Sequence, residues 1–307
     1  MKNVMIKTVN LTKKYGDFTA VKDLNLEVYE GEFFCLLGPN GAGKTTTFLM
    51  LLGLTRPTYG SAWIDGHDVT KNPIEAKKRV GFVPEVPGLY DDLTARENLV
   101  FTAELNGVPR NIREKRIEEL LEKVDLKKWT DVKVGKFSKG MKQRLAIADA
   151  MIKEPKVLIL DEPTAGIDPK GSEEILSLLE SLSRNEGITI LMSSHLLHYV
   201  EKYGDRIAIM NRGEIVAIGD VNSLIRGENI IELDLEEFDE SLISEIGKIK
   251  GVKEVEKEGN RVIVVTKEDI RKEIFEVVSR RGDRIVGIIF TPSLGKVYAK
   301  YFKEGSA

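Results

Sequence analysis

The chain has 307 residues, enough for two ordinary domains, and its formal net charge is only −3 because acidic and basic residues nearly balance. This balance argues against a nucleic-acid-binding protein, which usually carries a clear basic excess. The single cysteine, Cys35, lies in an apolar run without a disulfide partner, which favours a reducing compartment and a buried thiol.

Neither a signal peptide nor a membrane span is predicted. The first ten residues lack the apolar centre of a signal peptide. The longest apolar runs, among them residues 48–52, are far shorter than the ~18 residues that a membrane-spanning helix needs. We therefore expect any membrane association to depend on a partner.

The N-terminal part of the chain alternates between predicted strands and helices, the pattern of an α/β domain. The predicted strands cover residues 5–9, 24–28, 32–37, 157–160 and 188–192, the predicted helices cover residues 45–54 and 172–184, and a hairpin over residues 206–218 turns at Asn211, Arg212 and Gly213. Residues 91–150 are predicted to be mainly helical and begin with a capping box, Thr94 to Glu97.

The pattern changes near residue 227 to strand, helix, strand, strand, helix, strand, which is the order of a ferredoxin-like α+β domain. Strands are predicted over residues 230–235, 252–257, 261–266 and 284–290, and helices over residues 239–248, 267–281 and 293–302. We therefore predict two domains, 1–226 with a helical subdomain over about 88–150, and 227–307.

Residues 38–45 have the G-x-x-x-x-G-K-[ST] pattern of a phosphate-binding loop between an apolar strand and a helix. Glycines let successive N–H groups point at phosphate oxygens, and the helix N-terminus adds its positive dipole end. Lys44 is expected to reach the β- and γ-phosphates, and the Thr45 hydroxyl to bind Mg²⁺. The predicted nucleotide-binding residues in this segment and directly after it are Gly38, Asn40, Gly41, Ala42, Gly43, Lys44, Thr45 and Thr46.

Two acidic residues, Asp161 and Glu162, follow the predicted strand 157–160, at the end where α/β folds bind ligands. We expect Asp161 to hold Mg²⁺ and Glu162 to polarise the attacking water. Alone, the pair fits a solvated acidic turn equally well. Together with a phosphate loop, it predicts an NTPase.

Further segments, in the right order, resemble motifs of the ABC ATPase family. Residues 137–144 resemble its signature motif, which opens a long helix just before the acidic strand. Residues 14–16 resemble the loop whose aromatic residue stacks on adenine, 81–85 the Q-loop, 165–168 the D-loop and 193–195 the switch-histidine loop. The resemblance covers about residues 1–220 and implies a P-loop ABC-type ATPase domain with a helical subdomain.

In this family two ATP-binding domains pair head to tail, and each ATP lies between the phosphate loop of one and the signature helix of the other. The resemblance implies that Ser138 and Gly140 contact the γ-phosphate held by the partner and that Asp168 bridges the interface. It also implies that Tyr15 stacks on adenine and that His195 bonds the γ-phosphate and holds the water. The expected cofactors are ATP and Mg²⁺; the implied catalytic residues are Glu162, His195 and Glu85, and the implied metal-binding residues are Thr45, Asp161 and Glu85.

The sequence departs from the commonest family motifs at the Q-loop and the signature. Glu85 stands where the Q-loop usually has Gln, and Phe137, Lys139 and Met141 replace Leu, Gly and Gln of Leu-Ser-Gly-Gly-Gln. Both variants are similar to the ABC-2 export branch, as is the segment 291–298. This implies an ABC-2-type transmembrane permease and a second ATP-binding subunit as partners, no nucleic acid, and a peripheral location at the cytoplasmic face of the cell membrane.

Two other functions are less consistent with the sequence. A soluble ABC ATPase acting on ribosomes or DNA would usually carry two cassettes or a long coiled coil, and neither pattern is present. A cassette that only binds ATP would not need Lys44, Asp161, Glu162 and His195 together. For the C-terminal domain, a stabilising or dimer-contact role and a regulatory ligand-binding role both stay open.

Overall fold

The computed structural model describes residues 3–221, 229–236, 240–266, 268–282 and 284–291. The chain divides into two compact units, Met1–Ile218 and Gly219–Ala307. The predicted boundary between residues 226 and 227 falls outside the described residues and stays a prediction. No helix of the described residues is both long and apolar enough to cross a membrane.

The elements that begin in the first unit form two sheets and the helices around them. They are β1 (Val4–Tyr15), β2 (Phe18–Tyr29), β3 (Phe33–Leu37), α1 (Lys44–Leu51), β4 (Tyr59–Ile64), β5 (His67–Asp68), α2 (Pro73–Arg79), β6 (Val80–Val83), α3 (Ala95–Leu105), α4 (Arg110–Lys123), α5 (Lys139–Met151), β7 (Val157–Leu160), α6 (Pro169–Glu186), β8 (Thr189–Ser194), α7 (Leu197–Tyr203), β9 (Arg206–Asn211) and β10 (Glu214–Asp220).

A six-stranded sheet in the order β10-β9-β3-β8-β7-β6 forms the centre of this unit. The neighbours from β9 to β6 pair in parallel. Every residue of β3 and β7 is buried, as expected for parallel strands covered on both faces. Cys35 is fully buried, which confirms the predicted buried thiol, and this burial raises its pKa. Because β8 lies between β3 and β7, the loops after all three strands meet at one edge.

The second sheet of this unit is antiparallel, in the order β2-β1-β4-β5. The predicted strands 5–9 and 24–28 both lie in it, but each extends to twelve residues. The predicted turn at Asn211, Arg212 and Gly213 is confirmed, with positive φ at Arg212 and Gly213.

The predicted helical section consists of α3, α4 and α5, and the connection between α4 and α5 contains two 3-10 turns, Lys127–Trp129 and Val134–Lys136. The capping box is confirmed: Thr94 accepts a hydrogen bond from the Glu97 backbone N–H, and the Glu97 carboxylate accepts one from Thr94 N. The predicted helix 45–54 ends earlier, at Leu51, because Gly53 takes a left-handed φ of 61° that terminates it before the proline.

The second unit contains β11 (Asn229–Leu235), α8 (Glu240–Gly247), β12 (Val252–Glu258), β13 (Arg261–Thr266), α9 (Arg271–Arg281) and β14 (Ile285–Thr291). The strand order β12-β13-β11-β14, with antiparallel pairing, is that of the predicted ferredoxin-like fold. Apolar residues of α8 and α9 pack on one face of this sheet, where Ile231, Leu233, Ile246 and Ile274 are fully buried.

One helix of the second unit begins later than predicted. The predicted start was residue 267, but α9 begins at Arg271, because the Thr266 hydroxyl bonds the backbone of Glu268 and holds a turn there. The predicted helix 293–302 lies outside the described residues.

Candidate active site

A cleft of about 360 Å³ opens between the loop after β3 and the residues after β7. The residues that line it are Phe18, Ala20, Pro39, Asn40, Gly41, Ala42, Gly43, Lys44, Thr45, Thr46, Glu85, Asp161 and Glu162. The cleft therefore combines the predicted phosphate loop, the acidic pair and the Q-loop residue. Gly38 stands at the end of β3, next to the lining residues.

Glycines give the phosphate loop its shape. Gly41 and Gly43 have φ values of 81° and 104°, which favour glycine. A Cβ atom on Gly43 would lie 2.5 Å from the carbonyl oxygen of Ala20, and one on Gly38 would lie 2.4 Å from that of Met210. The loop is thus pressed against β2 and β9, and its curved backbone is a cradle of the kind that binds phosphate.

Lys44 begins α1 and is only 5% exposed. Its ammonium donates hydrogen bonds to the carbonyl oxygens of Gly38, at 2.6 Å, and Pro39, at 3.2 Å. It also lies 3.1 Å from Oε1 of Glu162. This buried cation therefore joins the phosphate loop to the acidic pair, and its charge lies at the floor of the cleft.

Asp161 is held by two hydroxyl groups. Thr45 Oγ1 donates to Oδ2, and Ser193 Oγ donates to Oδ1, each at 2.6 Å. Ser193 Oγ in turn accepts the backbone N–H of Glu162 at 2.8 Å. A hydroxyl and a carboxylate are hard oxygen ligands that suit Mg²⁺, which usually takes few protein ligands and completes its shell with phosphates and water. No group of three His, Cys, Asp or Glu side chains suited to a metal occurs among the described residues.

Glu162 is buried and has a left-handed φ of 46°. Its Oε2 lies 2.9 Å from Nδ1 of His195, whose side chain is 44% exposed. Its Oε1 makes no hydrogen bond, because the nearby Lys44 ammonium is close enough for an ion pair but not aligned for a hydrogen bond. One carboxylate oxygen thus keeps its acceptor capacity beside the phosphate loop. The strained backbone that aims this side chain is a feature common at functional sites.

The aromatic residue at the cleft differs from the one singled out in the sequence. Tyr15 is half exposed and is not a lining residue, whereas Phe18, its partner across the β1–β2 turn, is. The Lys13 ammonium lies 4.9 Å from the centre of the Tyr15 ring. Sequence reasoning missed Phe18, although an aromatic residue three positions after Tyr15 at a strand start was visible.

The predicted trans-acting residues lie in a second cleft of about 270 Å³. It is lined by Ser138, Lys139, Gly140, Met141, Arg144, Gly166, Ile167, Asp168, Lys170, Gly171 and Glu174. Ser138 caps α5 by accepting the Met141 backbone N–H, and Asp168 caps α6 by accepting that of Gly171. The two clefts share no lining residue, so within one chain Ser138, Gly140 and Asp168 are not brought together with the phosphate loop.

Comparison with known proteins gives the family. The family model described as ABC transporter matches residues 21–165. The bacitracin transport ATP-binding protein BcrA of Bacillus licheniformis is 47% identical over 214 residues, which cover 70% of this chain and 69% of the relative. The chain belongs to the ABC transporter family of ATP-binding proteins. As such it binds and hydrolyses ATP and is the ATP-binding subunit of a transporter, as the motif resemblance implied.

Two further comparisons agree with this assignment. The linearmycin resistance ATP-binding protein LnrL of Bacillus subtilis (strain 168) is 39% identical to this ABC ATP-binding protein over 254 residues, covering 82% of the chain and 81% of the relative. A dimeric structure of the cassette MJ0796, in a post-hydrolysis state bound to ADP and Pi, matches with a TM-score of 0.64 and 31% identity, covering 71% of this chain and 99% of that chain. The predicted ABC-type ATPase fold is confirmed.

Proposed function

We propose that this protein hydrolyses Mg²⁺-ATP between two subunits and thereby powers export by a separate ABC-2-type permease at the cytoplasmic face of the cell membrane. The observation that carries the catalytic part is the placement of Glu162. Its carboxylate is buried at the cleft between Lys44 and His195, with one oxygen that makes no hydrogen bond. A carboxylate so held can accept a hydrogen bond from an attacking water.

The residues around Glu162 have distinct roles in this proposal. The phosphate-loop backbone and Lys44 bind the β- and γ-phosphates, and Thr46 and Asn40 line the same cleft. Thr45 and Asp161 would hold Mg²⁺, whose charge neutralises the phosphate oxygens when it is bound. Ser193 fixes the orientation of Asp161 through its 2.6 Å hydrogen bond. We assign base stacking to Tyr15 and Phe18 together, since they face each other at the start of the hairpin.

Glu162 is the residue that acts on water. Its free oxygen accepts a hydrogen bond from the water that attacks the γ-phosphate, while His195 holds the other oxygen and thereby the orientation of the carboxylate. Glu85 lines the same cleft and is exposed, so its carboxylate is available to the metal or the water.

The second cleft supports a dimer. Ser138, Gly140 and Asp168 form a surface of their own, away from the phosphate loop of the same chain, so they can serve ATP only when a second ATP-binding subunit presents its phosphate loop. The relative MJ0796 has been solved as a dimer bound to ADP and Pi. The second subunit can be an identical copy or a close relative. In both cases the second cleft of one subunit would face the phosphate loop of the other.

Export through a permease is supported by relatives and by a third surface. The relatives include proteins named for bacitracin transport, linearmycin resistance and Nod factor export. A cleft of about 300 Å³ between α1, β6, α3 and α5 is lined partly by apolar residues, among them Leu52, Leu54 and Phe82. Leu54 is 59% exposed, and Leu105 nearby on α3 is 72% exposed. We assign this surface to the permease, because a cleft with exposed apolar side chains at its rim is a feature of interaction sites.

The experiment that tests the dimeric ATP site uses Glu162→Gln, which keeps the shape of the side chain but removes its charge and basicity. The variant is expected to bind Mg²⁺-ATP, to hydrolyse it very slowly, and to run as a dimer in size-exclusion chromatography with saturating ATP. A monomer at high protein concentration under these conditions would contradict a homodimeric site. Wild-type protein with ADP is the matched control and is expected to be monomeric.

A further inference from the structure

We propose that Lys139 is a second phosphate-binding lysine, which contacts the triphosphate of the ATP bound by the opposite subunit. This inference rests on the head-to-tail dimer of the proposed function and deepens it. It concerns a position where the commonest signature motif has glycine, which has no side chain that could contact a phosphate.

The lysine side chain lies across the D-loop. A Cβ atom placed on Gly166 would be 2.6 Å from Nζ of Lys139 and 3.7 Å from its Cε, so the end of the side chain covers this glycine. Gly166 has a left-handed φ of 66°, so the D-loop backbone turns at the residue that the Lys139 side chain covers. The ammonium is thus part of the second cleft, between the signature helix and the D-loop, together with Ser138 and Gly140.

Charges in the second cleft leave this lysine unpaired. Arg144 lies 3.6 Å from Glu174, and the Asp168 carboxylate accepts the Gly171 N–H as a helix cap. Within the part of the chain that the structure describes, Lys139 and Lys170 form neither an ion pair nor a hydrogen bond. The second cleft therefore carries an excess of positive charge. No acidic side chain of the described residues pairs with these two ammonium groups.

The first cleft, in contrast, has few positive charges to bind a triphosphate. In the described ranges, Lys44 is the one basic side chain that lines it, and this lysine already lies 3.1 Å from Glu162. A bound triphosphate adds several negative charges there. When the second cleft of one subunit closes on the first cleft of the other, Lys139 can form a charge-assisted hydrogen bond to a phosphate oxygen. Its position between Ser138 and Gly140 places it among the residues assigned to the γ-phosphate.

The test measures ATP-driven dimerisation in a Glu162→Gln background, by analytical ultracentrifugation with saturating Mg²⁺-ATP. Lys139→Met is expected to raise the protein concentration at half-dimerisation about tenfold or more, because two such contacts are lost in each dimer. Lys139→Arg, which keeps the charge, is expected to restore most of the loss. Lys136→Met, an exposed lysine outside both clefts, is the control and is expected to change nothing.

A second readout shows whether the effect arises across the interface. The affinity of dilute, monomeric Lys139→Met for fluorescent ATP should equal that of the parent, because the lysine is outside the first cleft of its own chain; equality also shows that the variant is folded. Unchanged dimerisation of Lys139→Met, or equal weakening by Lys139→Met and Lys139→Arg, would overturn the role of the lysine. If Glu162→Gln alone fails to dimerise, a homodimeric site is refuted, and the inference with it.

Discussion

Glu162 and His195 lie side by side at the candidate active site, with 2.9 Å between Oε2 and Nδ1. An ionised carboxylate can only accept, so the histidine ring donates to it. Lys44 approaches the other oxygen of Glu162 at 3.1 Å. The carboxylate is therefore oriented from two sides by groups of the chain itself.

His195→Ala should reduce kcat by about a hundredfold or more while leaving ATP affinity within a few-fold. The reason is that Glu162 loses the donor that orients its carboxylate, while the phosphate loop is unchanged. Steady-state ATPase rates and equilibrium binding of a fluorescent ATP analogue measure the two quantities. The control is His198→Ala, which changes an exposed histidine whose ring contacts that of Tyr199, and this variant should hydrolyse ATP at the wild-type rate.

Lys44→Ala should abolish detectable nucleotide binding without unfolding the chain. The substitution removes the charged donor to phosphate but retains the glycines that shape the loop. It also leaves the buried Glu162 carboxylate without its cation, so we expect a lower melting temperature. Isothermal titration with Mg²⁺-ATP and a thermal melt check both outcomes, with exposed Lys78→Ala as the control. ATP hydrolysis within a few-fold of wild type would refute the site.

Asp149→Asn should stabilise the fold more at pH 8 than at pH 4.5. Burial is the main cause that raises the pKa of Asp149 from 3.8 to about 6, although Thr102 and Lys153 oppose it. The ionised carboxylate therefore costs stability above pH 6, and this cost is lost as pH falls through 6 towards 4. The gain at pH 8 is at most about 3 kcal/mol, and the lost attraction to Lys153 reduces it.

The measurement for Asp149 is urea unfolding of wild type and Asp149→Asn across this pH range. Glu118→Gln, at an exposed position on α4, is the matched control and should show no such trend. A stability difference that stays constant from pH 4.5 to pH 8 would show that Asp149 titrates normally.

Glu85→Gln should shift the Mg²⁺ dependence of ATP hydrolysis. Glu85 lines the cleft beside Asp161, and a carboxylate attracts a divalent cation more strongly than an amide does. The variant should therefore need more Mg²⁺ for half-maximal rate at unchanged ATP affinity. Titrating Mg²⁺ against ATPase rate in both proteins gives the answer. Identical Mg²⁺ curves for the two proteins would show that the Glu85 carboxylate does not contact the metal.

Much of this site could be predicted because its parts are local in sequence. The loop 38–45 and the pair Asp161 and Glu162 are each contiguous, and a single pattern identifies their chemistry. The support of Asp161 by Ser193 could not be predicted, because it depends on β8 lying next to β7 in the sheet. The same holds for the contact of Lys139 with Gly166, which joins two segments that are distant along the chain.

Most of the predicted helices and strands are present in the structure, but several of them begin or end at other residues than predicted. Apolar patterning located the core strand β3, whereas the stop of α1 was set by the backbone conformation of Gly53 and not by the later proline. The position of Phe18 in the cleft depends on the register of the β1–β2 hairpin, where it faces Tyr15. Register of this kind is fixed by tertiary packing and is not visible in a local pattern.

The central claim is that Glu162 activates water at an intact ATP site. Its most direct test is to measure kcat and ATP affinity for Glu162→Gln beside wild type, at saturating Mg²⁺. We predict that kcat falls at least about a hundredfold while the affinity for ATP stays within about threefold, because the phosphate loop and Lys44 remain in place. A kcat within a few-fold of wild type, with the variant folded and ATP bound, would contradict the assignment of Glu162 and the mechanism built on it.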